Sequence, residues 1–147
     1  EHFNKFDFIW SSPPCPSHSR VRFIATYDKQ GKVRQKPIFP DMKLYEEIIF
    51  LQHYFRGKFT VENVVGYYEP LIKPQKVGKH YFWSNFLIPQ IKNQSRNHRD
   101  GIEILSKNKG FVLPQNLTGK RLLLRNCVEP ELGGWILYCA FNKVSLF

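Results

Sequence analysis

Two short apolar segments separated by a stretch of helical periodicity open this chain, and that order confines it to a small set of folds. Phe6 to Trp10 is aromatic and apolar, and it stops at Ser11-Ser12-Pro13-Pro14, as a strand does at a rigid turn. After Asp41, a residue suited to capping, Leu44, Ile48, Leu51 and Phe55 recur at helical spacing, and Gly57 is expected to end that helix. Lys58-Phe59-Thr60-Val61 reads as a second strand running into Glu62-Asn63-Val64. Strand, loop, helix, strand is the rhythm of an α/β sheet with crossover helices, which is the fold class expected. Ligands in such sheets sit beyond the carboxyl ends of strands. Cys15 and Glu62 both fall there.

The remaining segments are less regular. From Cys15 to Pro40 the chain is polar and basic and reads as a long loop. Tyr67 to Pro74 is loop-like, and His80 to Phe86 has the aromatic content of a further strand, closed by Pro89. Gln90 to Gly110 shows no clear period and carries five cationic residues, so it is expected to be a flexible basic linker. Arg121 to Leu124 is short and apolar. A helix is predicted from Pro130, burying Leu132, Ile136 and Ala140, although Gly133 and Gly134 each weaken it by about 1 kcal/mol.

Charge narrows the partners. There are 22 Lys and Arg against 12 Asp and Glu, a net charge of +10. A polyanion suits such a surface, because neutralising phosphates releases counterions. A solvated cationic surface with no polyanion partner has the same composition. The three cysteines are odd in number and lack paired spacing, which fits a reducing compartment. No basic-then-apolar leader or membrane-length apolar run is visible, so an intracellular, cytoplasmic protein is expected. Cys15-x-x-His18 has no second Cys/His pair at zinc-finger spacing, and no metal is expected.

Taken singly, Cys15 reads as a structural thiol in a turn and Glu62 as a solvated strand end. Taken together they are more specific. Pro14-Cys15 ending one strand and Glu62-Asn63-Val64 ending the next, with an amphipathic helix between, resembles the DNA cytosine-5 methyltransferase family. Leu44-Tyr45-Glu46 resembles the opening of the family's helix after the catalytic loop. Gln75 to Lys79 resembles its Gln-x-Arg-x-Arg motif, with Val77 and Lys79 at the arginine positions. Asn126, Val128 and Pro130 match its late Gly-Asn-Ser-Val-Pro-Pro motif.

The resemblance implies an incomplete Rossmann-like methyltransferase sheet over residues 1–147. Catalytic strands and loop would occupy 1–89, a basic linker 90–120 in place of a target-recognition region, and the late motif and helix 121–147. It implies that Cys15 adds to carbon 6 of a flipped cytosine in double-stranded DNA, that Glu62 contacts the ring nitrogen and exocyclic amine, and that Lys79 takes the ring-contacting arginine's place. Arg20 and Arg22 are expected to favour the thiolate. Ser17, Ser19, Arg20 and Arg22 would contact DNA, and Pro14, Leu44, Asn126 and Val128 would line the pocket for S-adenosylmethionine. The family's Phe-x-Gly-x-Gly donor loop does not occur between Glu1 and Phe147. A second chain or further segment supplying that loop or target recognition is therefore expected. So is an exposed sheet edge, open to pairing, at the first strand. The other readings are an inactive relative that binds nucleic acid through charge, an enzyme acting on RNA, and a cysteine hydrolase using His18, His53 or His80.

Overall fold

The computed structural model describes residues 5–26, 28–34, 39–91, 101–110 and 112–142; for Val21, Arg22, Ala25, Asn108, Leu122, Arg125 and Asn126 it describes the backbone only. Four strands form one open mixed sheet: β1 (Phe8–Ser11), β2 (Lys58–Val64), β3 (Gln75–Val77) and β4 (His80–Ser84), in the order β1-β2-β4-β3. β1 and β2 are parallel, with Phe8 opposite Lys58 and Ser11 opposite Val61. Parallel neighbours need a crossover, and the helix α2 (Lys43–Tyr54) supplies it. β4 runs antiparallel to β2, placing Phe82 opposite Glu62 and His80 opposite Val64. β3 joins β4 through the two-residue turn Gly78-Lys79, where Gly78 takes a φ of 58°.

Strand pleating sorts the side chains into two cores. Ile9, Phe59, Val61 and Trp83 face α2 and meet Leu44, Tyr45, Ile48, Leu51 and Phe55. Phe8, Trp10 and Phe82 face the other way, toward Leu132 and Ile136 of the carboxy-terminal helix α5 (Pro130–Phe141). Each large apolar side chain fully buried this way contributes about 1.5–3 kcal/mol. β2 is buried along most of its length, and hydrogen bonds satisfy polar groups along it. Thr60 and Ser84 share a 2.6 Å hydrogen bond, and Asn85 accepts the Phe59 N–H at 3.0 Å.

Several expectations are corrected. The 15–40 stretch is not one loop: the Cys15 carbonyl accepts the His18 and Ser19 N–H groups, each at 3.0 Å, and a short helix α1 (Arg20–Ala25) follows. Residues 35–38, including Lys36 of the expected basic loop, lie outside the described residues. Gly57 does not end α2, which closes at Phe55. It is required instead by crowding, since a Cβ there would lie 2.6 Å from the Asp7 carbonyl oxygen. Asp41 does serve the helix start, accepting the Lys43 N–H at 3.1 Å.

The expected 90–120 linker contains a helix, α3 (Ile102–Lys109), while 92–100 lie outside the described residues. Glu103 in its first turn and Lys107 and Lys109 in its last suit the helix dipole, and Gly110 closes it at a φ of 68°. Arg121 to Leu124 belongs to α4 (Lys120–Asn126), which packs on α3. Lys109 is buried against the start of α5. Its ammonium lies 3.1 Å from a Glu129 carboxylate oxygen and donates to the Cys127 carbonyl. Lys109→Ala strips both acceptors of that cation and is expected to lower stability by about 1–3 kcal/mol. The midpoint of urea unfolding measures it, and an unchanged midpoint would show the pair to be energetically idle.

Candidate active site

The carboxyl ends of β1 and β2 bring the Pro-Cys loop beside the Glu-Asn-Val strand. The join is made by Asn63, whose Nδ2 donates to the Pro13 carbonyl at 3.2 Å while its Oδ1 accepts the Val64 N–H at 2.9 Å. Pro13, Pro14 and Pro16 restrict the backbone on both sides of Cys15. On the far side of the loop, the Ser17 hydroxyl accepts the Asp41 N–H at 3.2 Å, and Ser19 forms an isolated β-bridge with Gly66. Cys15 is thus carried on a loop held to both β2 and the head of α2.

The thiol is half-buried. Burial pushes its pKa up, a backbone hydrogen bond pulls part of the way back, and the negative charge of Glu62 adds a smaller upward push. The expected activation by arginines is therefore corrected. Arg20 is turned to Gly66, donating from Nε to its carbonyl at 2.8 Å, and the Arg22 side chain lies outside the described residues. Glu62 itself is only 9% exposed.

Other assigned residues are placed differently. Lys79 is exposed in the β3–β4 turn, with its carbonyl accepting the Val65 N–H at 3.4 Å. The side chain beside Glu62 is instead His80, whose Nδ1 is 3.2 Å from Oε1. Ser17, Ser19 and Arg20 are all engaged with the protein's own backbone, as described above. Of the donor-pocket residues, Pro14 is exposed, Leu44 is buried in the α2 core, and Val128 packs in the α5 core. Strand alternation puts those two cores on opposite faces of the sheet. The Asn126 side chain lies outside the described residues. Leu44 and Val128 therefore do not fit a shared pocket for S-adenosylmethionine.

One network went unseen in the sequence. His18, only 2% exposed, has Nδ1 2.6 Å from the Tyr68 hydroxyl. Tyr45 donates to Tyr68 at 3.1 Å and accepts the Leu71 N–H at 3.2 Å. Burial lowers the His18 pKa despite the nearby charge of Asp41, and burial followed by Tyr45 raises that of Tyr68. Both are thereby favoured in their neutral forms, a brace between the Pro-Cys loop and the 66–71 loop. The stacked rings of Phe23 and Tyr67, 4.4 Å apart, fasten α1 to the same loop. No single motif links residues 18, 45 and 68, so only the fold could reveal them.

With His18 turned to Tyr68, His80 beside Glu62 and His53 packed near Tyr54 on α2, each histidine of the hydrolase reading has a different neighbour from Cys15. Among the described residues, no group of three or more His, Cys, Asp or Glu is arranged to hold a metal ion, and no helix is long and apolar enough to cross a membrane. The chain matches no protein-family model, no curated protein and no solved structure.

Proposed function

We propose that this chain carries the cytosine-activating residues of a DNA cytosine-5 methyltransferase, on part of a Rossmann-like sheet. The reading is supported chiefly by one observation: Asn63 ties the Pro-Cys loop to the strand bearing Glu62, setting a nucleophile and a carboxylate at one end of the sheet. A thiolate and a carboxylic acid are the two groups that addition to a cytosine ring requires.

In this scheme the Cys15 thiolate forms a bond to carbon 6 of an extruded cytosine. The carbon 5–carbon 6 electron pair moves through the ring, and N3 takes a proton that the Glu62 carboxylate gains from solvent as the base enters. Carbon 5 of the resulting enamine is then nucleophilic. Taking a proton from water there, losing the original hydrogen, expelling Cys15 and returning the N3 proton to Glu62 restores cytosine with its carbon 5 hydrogen exchanged. The same nucleophilic carbon 5 would be the atom to receive a methyl group if a donor were supplied. S-adenosylmethionine is the donor that the family resemblance implies, and a second chain or a further segment is the proposed source of its site. The target must leave the duplex first, since carbon 6 is inaccessible in the stack, and the net charge of +10 suits a DNA partner.

Hydrogen exchange needs no methyl donor and tests the scheme directly. A pool of random-sequence duplexes labelled with tritium at cytosine carbon 5 is expected to release label to water when the chain is added. Because burial and Glu62 push the thiol up, the thiolate fraction, read as the rate of iodoacetamide alkylation at Cys15, is expected to rise with pH and still be climbing beyond the ordinary thiol range. No release above the protein-free rate at any pH would refute the proposal and leave charge-driven nucleic-acid binding as the better reading.

A further inference from the structure

His80 earns its place from the strand register. Val64 opposes His80 and Glu62 opposes Phe82, so Glu62 and His80 are diagonal neighbours on one face of the sheet. Lys79, one position earlier, belongs to the turn and cannot share that face. The His80 Nδ1 is shut off from solvent and has no hydrogen-bond partner among the described residues, yet Glu62 Oε1 is 3.2 Å away. The Phe82 ring packs beside the imidazole, with centroids 6.2 Å apart. A buried ring nitrogen left unpaired is costly, and a carboxylate oxygen within reach is its natural acceptor.

We propose that His80 is the positioning residue for Glu62: a small turn of the carboxylate lets Nδ1–H close on Oε1, which aims Oε2 at the edge of the bound pyrimidine. This rests on the reading of Glu62 as the base-contacting acid. An unrestrained carboxylate must be ordered each time a base enters. One already held by a buried donor presents its second oxygen to the ring in a single direction. The same hydrogen bond draws charge away from Glu62 and so moderates its effect on Cys15.

His80→Leu is expected to slow hydrogen exchange at saturating DNA by about tenfold, without changing the DNA concentration for half-maximal rate. His80→Asn places an amide N–H near the Nδ1 position and is expected to recover most of the rate. A His80→Leu rate equal to wild type, or equal losses in the two variants, would overturn the proposal. A second readout is independent of turnover: the rate of iodoacetamide alkylation at Cys15, with Cys127 and Cys139 resolved by peptide mass. Without its donor Glu62 bears more fully on the thiol, so His80→Leu is expected to alkylate more slowly than wild type and His80→Asn at a similar rate. If wild type shows no exchange, the methyltransferase reading falls and alkylation decides alone. An unchanged rate in His80→Leu would then reject the positioning role.

Discussion

Cys15→Ser is expected to remove hydrogen exchange at cytosine carbon 5, a loss on the order of 10³-fold or more, because a hydroxyl in place of the thiol is far from ionised at the same pH. Glu62→Gln is expected to lose on the order of 10²- to 10³-fold, since an amide can still touch the ring but cannot give N3 a proton. The two substitutions separate on a second measurement. Removing the Glu62 charge takes away one of the influences that raise the Cys15 thiol, so Cys15 in Glu62→Gln should alkylate faster than in wild type. The variant would be poorer at activating cytosine and better as a simple nucleophile. General unfolding would also expose the thiol and abolish exchange, so the pairing is diagnostic only in a folded variant. Unfolding is excluded by comparing denaturation midpoints of the three proteins. An unaltered exchange rate in Glu62→Gln would remove the acid from the scheme, and an unaltered rate in Cys15→Ser would end it.

The elements that carry this site were the legible ones. β1, β2, α2 and α5 each bury several side chains, and burial is what writes period into a sequence. Leu44, Ile48 and Leu51 are in the core at the spacing that announces a helix, and Leu132, Ile136 and Ala140 repeat the pattern. α1, α3 and α4 were not legible. They are short, and the two that follow the 90–100 stretch take their form from end effects, with Gly110 and Gly119 at φ of 68° and 71° rather than a long apolar stripe. Lys109 shows the limit well: a lysine reads as surface charge, and only an acceptor set drawn from two later segments explains its burial.

Cys15 and Glu62 could be named from the sequence as the proposed nucleophile and acid, but the neighbour of Glu62 could not. Motif matching set Lys79 at the position of a ring-contacting arginine, but successive residues of a strand point to opposite faces, and the register with Val64 delivers His80 to Glu62. Spacing in a sequence cannot fix that register. The donor-pocket assignment failed to converge for a related reason. Leu44 and Val128 are each apolar and each near a motif, but nothing in either segment says which side of the sheet it will cover.

Phe82→Ala is expected to cost about 3–5 kcal/mol, a large part of the roughly 5–15 kcal/mol that holds a domain of this kind together. Phe82 is fully buried, and its ring meets Trp10 edge-on at 6.2 Å, linking the two strands on either side of β2 across the α5 face. It is also the direct cross-strand partner of Glu62 and the neighbour of the His80 ring. Truncation therefore opens a cavity beneath the carboxylate and the imidazole together. Phe82→Leu refills much of that space and should cost clearly less. Urea unfolding followed by tryptophan fluorescence measures both, Trp10 being in contact with the altered ring. A Phe82→Ala loss below about 1 kcal/mol would mean that the α5 core does not support the sheet there. In that case the placement of Glu62 against His80 would have to be maintained from the α2 side alone, through Asn63 and the Pro13 carbonyl. The exchange rate of a folded Phe82→Leu protein distinguishes these. Near-normal exchange is expected if the core's shape positions the pair, and a loss as deep as that of His80→Leu if the aromatic ring itself holds the imidazole.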